Sequence, residues 1–336
     1  MFDYTRSEVK DRAREQWRGA CNVTLPSFNS DFSGLNEAGI RHDVRRAAEL
    51  GFWGTLAASE CGTTEQEYIR FLEICLEEAP AGFKIVSHLS FDTVEQIKNV
   101  ARKSRELGAE AGLLAYPPSF IPSKPQEIVD LTKDVAESSD LALILFGVMS
   151  WGFKRLDPAG FPKSALDQMV DIDTAAALKF EIGGSAMMSA FSDAVRSYGK
   201  RILVENPMEQ NIPVQFRDYG VHWVGTSAYE SFGGRVPEVI NLLEKGEADK
   251  ALEVFWSYQS ARDAKGAFHA TFSGAGLIHR VGWKYLGWLH GFNGGLLRMP
   301  QMRLNPGQMR SLRSGLAASG FDLPTDDAEF YNGRVG

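Results

Sequence analysis

The chain has 336 residues, 44% hydrophobic and 24% charged, with a formal net charge of −7. This composition argues against disorder, and the length allows one large α/β domain or two smaller ones. An acidic balance without a basic block argues against nucleic acid as partner, and no run nears the roughly 18–20 apolar residues of a membrane span.

Short apolar runs recur along the chain, each followed by a stretch with helical periodicity. They cover 20–25, 53–58, 83–89, 112–116, 141–146, 176–182, 201–205 and 221–226. The stretch 93–107 shows the helical half of such a unit. Val94, Ile97, Val100, Ala101 and Leu107 share a face, Thr93 with Gln96 makes a capping box, and Gly108 is the stop. Pro237 opens a later helix and Gly246 ends it. Beyond 246 the chain reads as helical to about 320, carried by Ala248–Lys265 and Asn305–Ala318. The expected fold is α/β: a (β/α)8 TIM barrel over 15–246, a C-terminal helical extension over 247–320 and an irregular tail, 321–336. A doubly wound open sheet is the alternative. Eight strands are many for it, and no Gly-x-Gly-x-x-Gly follows the first strand.

Lys179 stands inside the apolar run Ala-Ala-Leu-Lys-Phe-Glu-Ile-Gly-Gly, 176–184. Side chains alternate along a strand, so Ala177, Lys179 and Glu181 share one face and Leu178, Phe180 and Ile182 the other. A buried ammonium must be paired or lose its proton readily, and a neutral amine attacks carbonyls to form a Schiff base. The residues alone leave two readings open: a nucleophile, or a structural ion pair between Lys179 and Glu181.

In such barrels chemistry gathers at the C-terminal ends of the strands. Those ends offer Thr24, Ser59, Glu60, His88, Tyr116, Phe146, Lys179, Glu205, Asn206 and Ser227. Tyr116, Glu60 and His88 are candidates to move protons; Ser59, Cys61, Thr24, Phe146, Glu205 and Ser227 are candidates to contact substrate. Each has a structural counter-reading. Tyr116 could bond across a loop, Glu60 could cap the loop 59–64, and His88 could be a core histidine. Cys61 fits a small buried hydrophobe better than a nucleophile. The three cysteines, Cys21, Cys61 and Cys75, suit neither a disulfide framework nor a zinc site, and no metal is expected. The charged N-terminus lacks an apolar signal core, which makes the cytoplasm the default location.

Several segments together resemble the dihydrodipicolinate synthase / N-acetylneuraminate lyase family of class I aldolases. Leu25-Pro26 followed by Asn29-Ser30-Asp31 is similar to the family's first-strand turn. Gly108-Ala-Glu-Ala-Gly-Leu-Leu-Ala-Tyr-Pro-Pro is similar to its fourth strand, and Ala177-Leu-Lys-Phe180 to its Gly-Ile-Lys. Val224-Gly-Thr-Ser227 with Arg235-Val-Pro237 resembles its eighth-strand segment, and Leu297-Arg-Met-Pro300 its Arg-x-Pro. The resemblance spans about residues 18–320. It implies Lys179 as Schiff-base former, a homotetramer or homodimer, and no external cofactor.

The departures narrow the expectation. Where the family has a carboxylate-binding Gly-Thr-Thr-Gly-Glu loop, this chain reads Ala57-Ala-Ser-Glu-Cys-Gly-Thr-Thr64. Either Glu60 and Cys61 replace the two threonines, or a shorter loop aligns Glu60 with the family glutamate. After the fourth strand, Pro118 leads to Ser119 and Phe120 in place of Pro-Tyr-Tyr, and the fifth-strand Tyr-Asn-x-Pro is replaced by Phe146-Gly-Val-Met. A longer segment before Lys179, with Trp151, Phe153, Pro158 and Phe161, resembles the hydratase-aldolase branch acting on aromatic pyruvate adducts. The expected activity is thus a Schiff-base lyase, aldolase or hydratase-aldolase, on a 2-oxo acid or related small carbonyl compound with an apolar or aromatic portion. The alternatives are a non-catalytic ligand-binding protein on the same barrel, or acid–base chemistry by Glu60 and His88 without a Schiff base.

Overall fold

The structure is a computed structural model and describes residues 4–273, 277–325 and 327–335. Its strands are β1 (Gly19–Thr24), β2 (Gly54–Ala57), β3 (Lys84–Leu89), β4 (Ala111–Leu114), β5 (Leu143–Val148), β6 (Ala175–Glu181), β7 (Leu203–Glu205) and β8 (Trp223–Gly225). Each expected apolar run contributes one strand. They form one sheet in the order β7-β6-β5-β4-β3-β2-β1-β8. With a helix between successive strands, this is the (β/α)8 barrel, followed by C-terminal helices.

The chain divides into two compact units. The first comprises Lys84–Thr226 with the N-terminal segment up to Gly19. Within it β3 to β7 pair in parallel, each with the next, and β7 packs beside β8. The helix Val94–Leu107 shows why the sequence was legible here. The Thr93 side chain accepts from the Gln96 amide, Gln96 reaches back, and Gly108 closes the end at φ +101°. That left-handed backbone suits a residue without Cβ. On β4, Gly112 leaves room for its neighbours: a Cβ there would stand 2.7 Å from Leu89 Cδ1 and 2.9 Å from Leu141 Cδ2.

The second unit comprises Ala20–Phe83 and the chain from Ser227 onward. In it β1 and β2 pair in parallel. The helix expected to open at Pro237 begins two residues earlier, as Arg235–Glu244. Proline is tolerated in that first turn because its missing N–H would have no intrahelical partner. The stretch Ala248–Lys265, expected as one helix, is two: Ala248–Ser257 and Gln259–Ser273. Tyr258 breaks the path at φ −110°, ψ 29°. Arg262 holds the break, donating to the Phe255 carbonyl at 3.0 Å with its guanidinium 4.0 Å over the Phe255 ring and 4.7 Å over Tyr258. Asn305 caps the helix Pro306–Ala318, and Asp327–Tyr331 forms a 3-10 turn around buried Phe330. No helix among the described residues is long and apolar enough to cross a membrane.

Candidate active site

Lys179 on β6 has two ladder neighbours in register, Phe146 on β5 and Glu205 on β7. Register partners in a parallel ladder face the same side of the sheet, so these three side chains form a row. The next residue, Phe180, points the other way, its ring 6.3 Å from that of Phe191 in the helix Met187–Tyr198. The alternation read from the sequence therefore places Lys179 on the side away from that helix.

Lys179 is only 5% exposed. Its Nζ donates to the Thr226 carbonyl at 2.7 Å and lies 3.4 Å from Thr226 Oγ1. It also stands 4.4 Å over the Phe146 ring centroid and 3.4 Å from Glu181 Oε1. The ion pair offered as the structural reading is present. At 3.4 Å it is longer than the roughly 2.7–2.9 Å of a tight charge-assisted bond. Carbonyl, ring and carboxylate together offset the desolvation of a buried ammonium.

Glu205 is fully buried, and neither of its carboxylate oxygens has a hydrogen-bond partner of good geometry among the described residues. Burial drives its carboxyl well above the usual carboxylate range, against the opposing pull of the Lys179 ammonium and the Gly225 amide. Asn206 beside it is committed to structure. Its Nδ2 donates to the Phe180 carbonyl at 2.8 Å, and its Oδ1 accepts from the Met208 amide at 3.0 Å and from Asn211 Nδ2 at 3.1 Å.

An aromatic neighbourhood begins at Phe146. Trp151 donates from Nε1 to the Phe146 carbonyl at 2.8 Å and sets its ring edge-on at 5.6 Å. Behind it Tyr116 packs against Trp151, Phe120, Phe153 and Phe161. The Tyr116 hydroxyl lies 2.9 Å from Thr132 Oγ1, in the helix Pro125–Ser138. Thr132 uses its own proton on the Ile128 carbonyl, at 2.8 Å, so Tyr116 is the donor of the pair. Burial also raises its hydroxyl pKa. This placement favours the structural reading of Tyr116 over proton transfer. His88 is buried on β3, in register with Leu113 of β4.

The remaining candidates belong to the second unit. Glu60, in the turn after β2, forms an ion pair with the buried Arg280, whose guanidinium stands 4.3 Å over the Trp283 ring. The Ser59 carbonyl accepts from the Cys61 amide at 2.7 Å and from Thr63 Oγ1 at 3.2 Å. Burial pushes the Cys61 thiol up to about 12, as befits a small hydrophobe and not a nucleophile. Thr24 Oγ1 lies 2.8 Å from Thr55 Oγ1, and the Ser227 amide donates to the Cys21 carbonyl at 3.4 Å.

Two buried cations escaped the sequence reading, Arg280 and Lys284 of the helix Arg280–Leu289. Lys284 Nζ donates to the Pro26 carbonyl at 2.6 Å and to Ser27 Oγ at 3.2 Å. Burial lowers its pKa to about 8, with the buried Asp43 carboxyl pulling the other way. Their signal was present: two cations four apart, hence on one face, in a helix whose other residues are mostly apolar. Among the described residues no group of three or more His, Cys, Asp or Glu could hold a metal ion.

Comparison with known proteins matches this architecture. A model of the dihydrodipicolinate synthetase family matches residues 49–259. The 4-hydroxy-tetrahydrodipicolinate synthase of Methanopyrus kandleri is 26% identical over 156 residues, 45% of this chain and 51% of that protein. The chain thus spans about half the length of the curated relative it matches. Among solved structures, N-acetylneuraminate lyase from Fusobacterium nucleatum superposes with a TM-score of 0.72 at 15% identity, over 91% of this chain and 99% of that one. Dihydrodipicolinate synthase from Oceanobacillus iheyensis gives 0.76 at 14% identity, over 94% and 100%. At these identities the structures show the fold, and the family match carries the assignment: this chain belongs to the dihydrodipicolinate synthetase family.

Proposed function

We propose that this protein is a Schiff-base-forming lyase, an aldolase or hydratase-aldolase, acting on a 2-oxo acid or related carbonyl compound with an apolar or aromatic portion. The observation that carries the reading is the placement of Lys179: a buried amine, oriented by one backbone carbonyl, over an aromatic face. Lys179 Nζ attacks the substrate carbonyl and forms a carbinolamine, which loses water to give an iminium. Glu181, 3.4 Å from Nζ, is the nearest base to take the ammonium proton. The iminium is itself a cation, so the Phe146 face that favours the ammonium continues to favour it. It then serves as the electron sink for carbon–carbon cleavage or for dehydration. The chemistry asks for no external cofactor.

The aromatic side chains that begin at Phe146 and Trp151 support a substrate with an apolar portion. Tyr116, one of the candidates to move protons, is tied to Thr132, which supports a proton carrier elsewhere. A homotetramer or homodimer is the assembly that family membership supports, and sedimentation velocity tests it.

The decisive experiment is borohydride reduction in the presence of pyruvate and a panel of aliphatic and aromatic 2-oxo acids and aldehydes, followed by intact-mass measurement and peptide mapping. A reduced adduct on Lys179 is expected, absent in Lys179→Ala. A Lys179→Ala protein retaining more than a few per cent of turnover would refute the reading. Turnover without trapping would point instead to Lys179 as an electrostatic group paired with Glu181.

A further inference from the structure

We propose that Glu205 is a further catalytic residue: it protonates the departing hydroxyl of the carbinolamine on Lys179 and takes the proton back when water hydrolyses the iminium. This rests on the Schiff-base reading above and assigns the acid which that reading leaves open.

Three features support it. Glu205 occupies the ladder position beside Lys179, on the same face of adjacent strands, so its side chain enters the space in which a substrate bound to Nζ would lie. Its carboxyl is fully buried, and neither oxygen makes a hydrogen bond of good geometry among the described residues, the Gly225 amide giving only a partial one. A buried carboxyl so weakly paired is costly, and a purely structural role at this position would be filled more favourably by an apolar side chain. Burial also keeps the proton on it well above the usual range, despite the nearby ammonium.

The neighbours have other parts. The Thr226 carbonyl only accepts, its hydroxyl lies 3.4 Å from Nζ with an ordinary alcohol's weak acidity, and Glu181 is the base to which the reading above gives the ammonium proton. The Asn206 amide is committed to Phe180, Met208 and Asn211, and the Tyr116 proton to Thr132. Glu205 therefore combines a retained proton with unused oxygens. The step balances. The carbinolamine C–O bond breaks, its hydroxyl leaves as water with the Glu205 proton, the nitrogen lone pair forms the C=N bond, and Glu205 is left as carboxylate. In hydrolysis, water adds to the iminium carbon as that carboxylate accepts its proton.

The test is the rate at which borohydride-reducible adduct accumulates on Lys179, with pyruvate and benzaldehyde as probes, in wild type, Glu205→Gln and Glu205→Asp, alongside thermal melting of each. Gln keeps the shape but has no acidic proton. It should slow adduct formation by about 10²-fold, in the range of general acid catalysis, with melting little changed. Asp keeps the acid at shorter reach and should recover part of that rate, which a merely structural role would not produce. A wild-type adduct forming at the same rate in Glu205→Gln would overturn the role of Glu205 while leaving the Schiff base standing. If the Gln protein does not fold, an Asp variant reacting at the full wild-type rate overturns it instead. A wild-type Lys179 that traps neither probe would refute the Schiff-base reading itself and this inference with it.

Discussion

Replacing Tyr116 by Phe separates architecture from chemistry at this barrel. The substitution removes one hydroxyl and leaves the ring among Phe120, Trp151, Phe153 and Phe161. What is lost is the 2.9 Å bond to Thr132 Oγ1. Thr132 keeps its donor satisfied, because its proton goes to the Ile128 carbonyl at 2.8 Å. Only an acceptor lone pair is orphaned, so the cost should be that of one neutral buried hydrogen bond, about 0.5–1.5 kcal/mol. Tyr116→Ala, which empties the cluster of its central ring, should cost about 3–5 kcal/mol. Guanidinium unfolding midpoints measure both, and borohydride trapping on the same samples measures Lys179 chemistry. The Phe protein should trap at close to the wild-type rate. A tenfold or greater loss of trapping, with the unfolding midpoint unmoved, would refute the reasoning and return Tyr116 to the role of proton carrier.

Other outcomes follow from the same geometry. Glu230 is buried, accepts from Asn22 Nδ2 at 3.3 Å and the Val23 amide at 3.4 Å, and burial raises its carboxyl to about 7. A folded-state pKa above the unfolded one, about 4.5, means that the native state holds the extra proton between the two values. Stability from this group therefore falls as pH rises from about 4.5 to about 7 and is level beyond. Glu230→Gln should gain melting temperature relative to wild type across that window and hold the gain above it; a difference independent of pH would contradict this. Glu60→Gln removes the partner of buried Arg280. Because Glu60 is partly exposed, the cost should be about 1–2 kcal/mol, with adduct formation on Lys179 retained. Loss of trapping at full stability would restore Glu60 as a catalytic candidate. Iodoacetamide at pH 8 should label Cys21, Cys61 and Cys75 only on unfolding, since all are buried and burial raises the thiols of Cys61 and Cys75; rapid native labelling read by mass would contradict it.

The strands and their order were legible because each is a short apolar run bounded by polar or glycine residues, and the helix after Thr93 because its caps are written at both ends. Lys179 was legible for a related reason: a charge inside an apolar run with period two must point into a shared interior. Phe146 and Glu205 followed as strand-end residues, but not their registration beside Lys179, which depends on ladder hydrogen bonds between strands. Tyr116 could not be aimed from sequence. It lies two residues beyond the end of β4, where alternation no longer fixes a side chain, and its partner Thr132 sits on the following helix. The pairing of Glu60 was hidden in a different way. Its partner Arg280 is 220 residues along the chain, and no local pattern announces so distant an ion pair.

The row formed by Phe146, Lys179 and Glu205 belongs to strands, and every member is fixed by the backbone ladder of its neighbours. A slip of one residue in any of them would turn its side chain to the outer face. The Lys179 amine is thereby insulated from changes in the connections that follow the strands. Those connections can be shortened, lengthened or exchanged, and the same row of side chains will stand at the same depth. For an engineer this divides the molecule into a chassis to be left alone and a rim open to recombination.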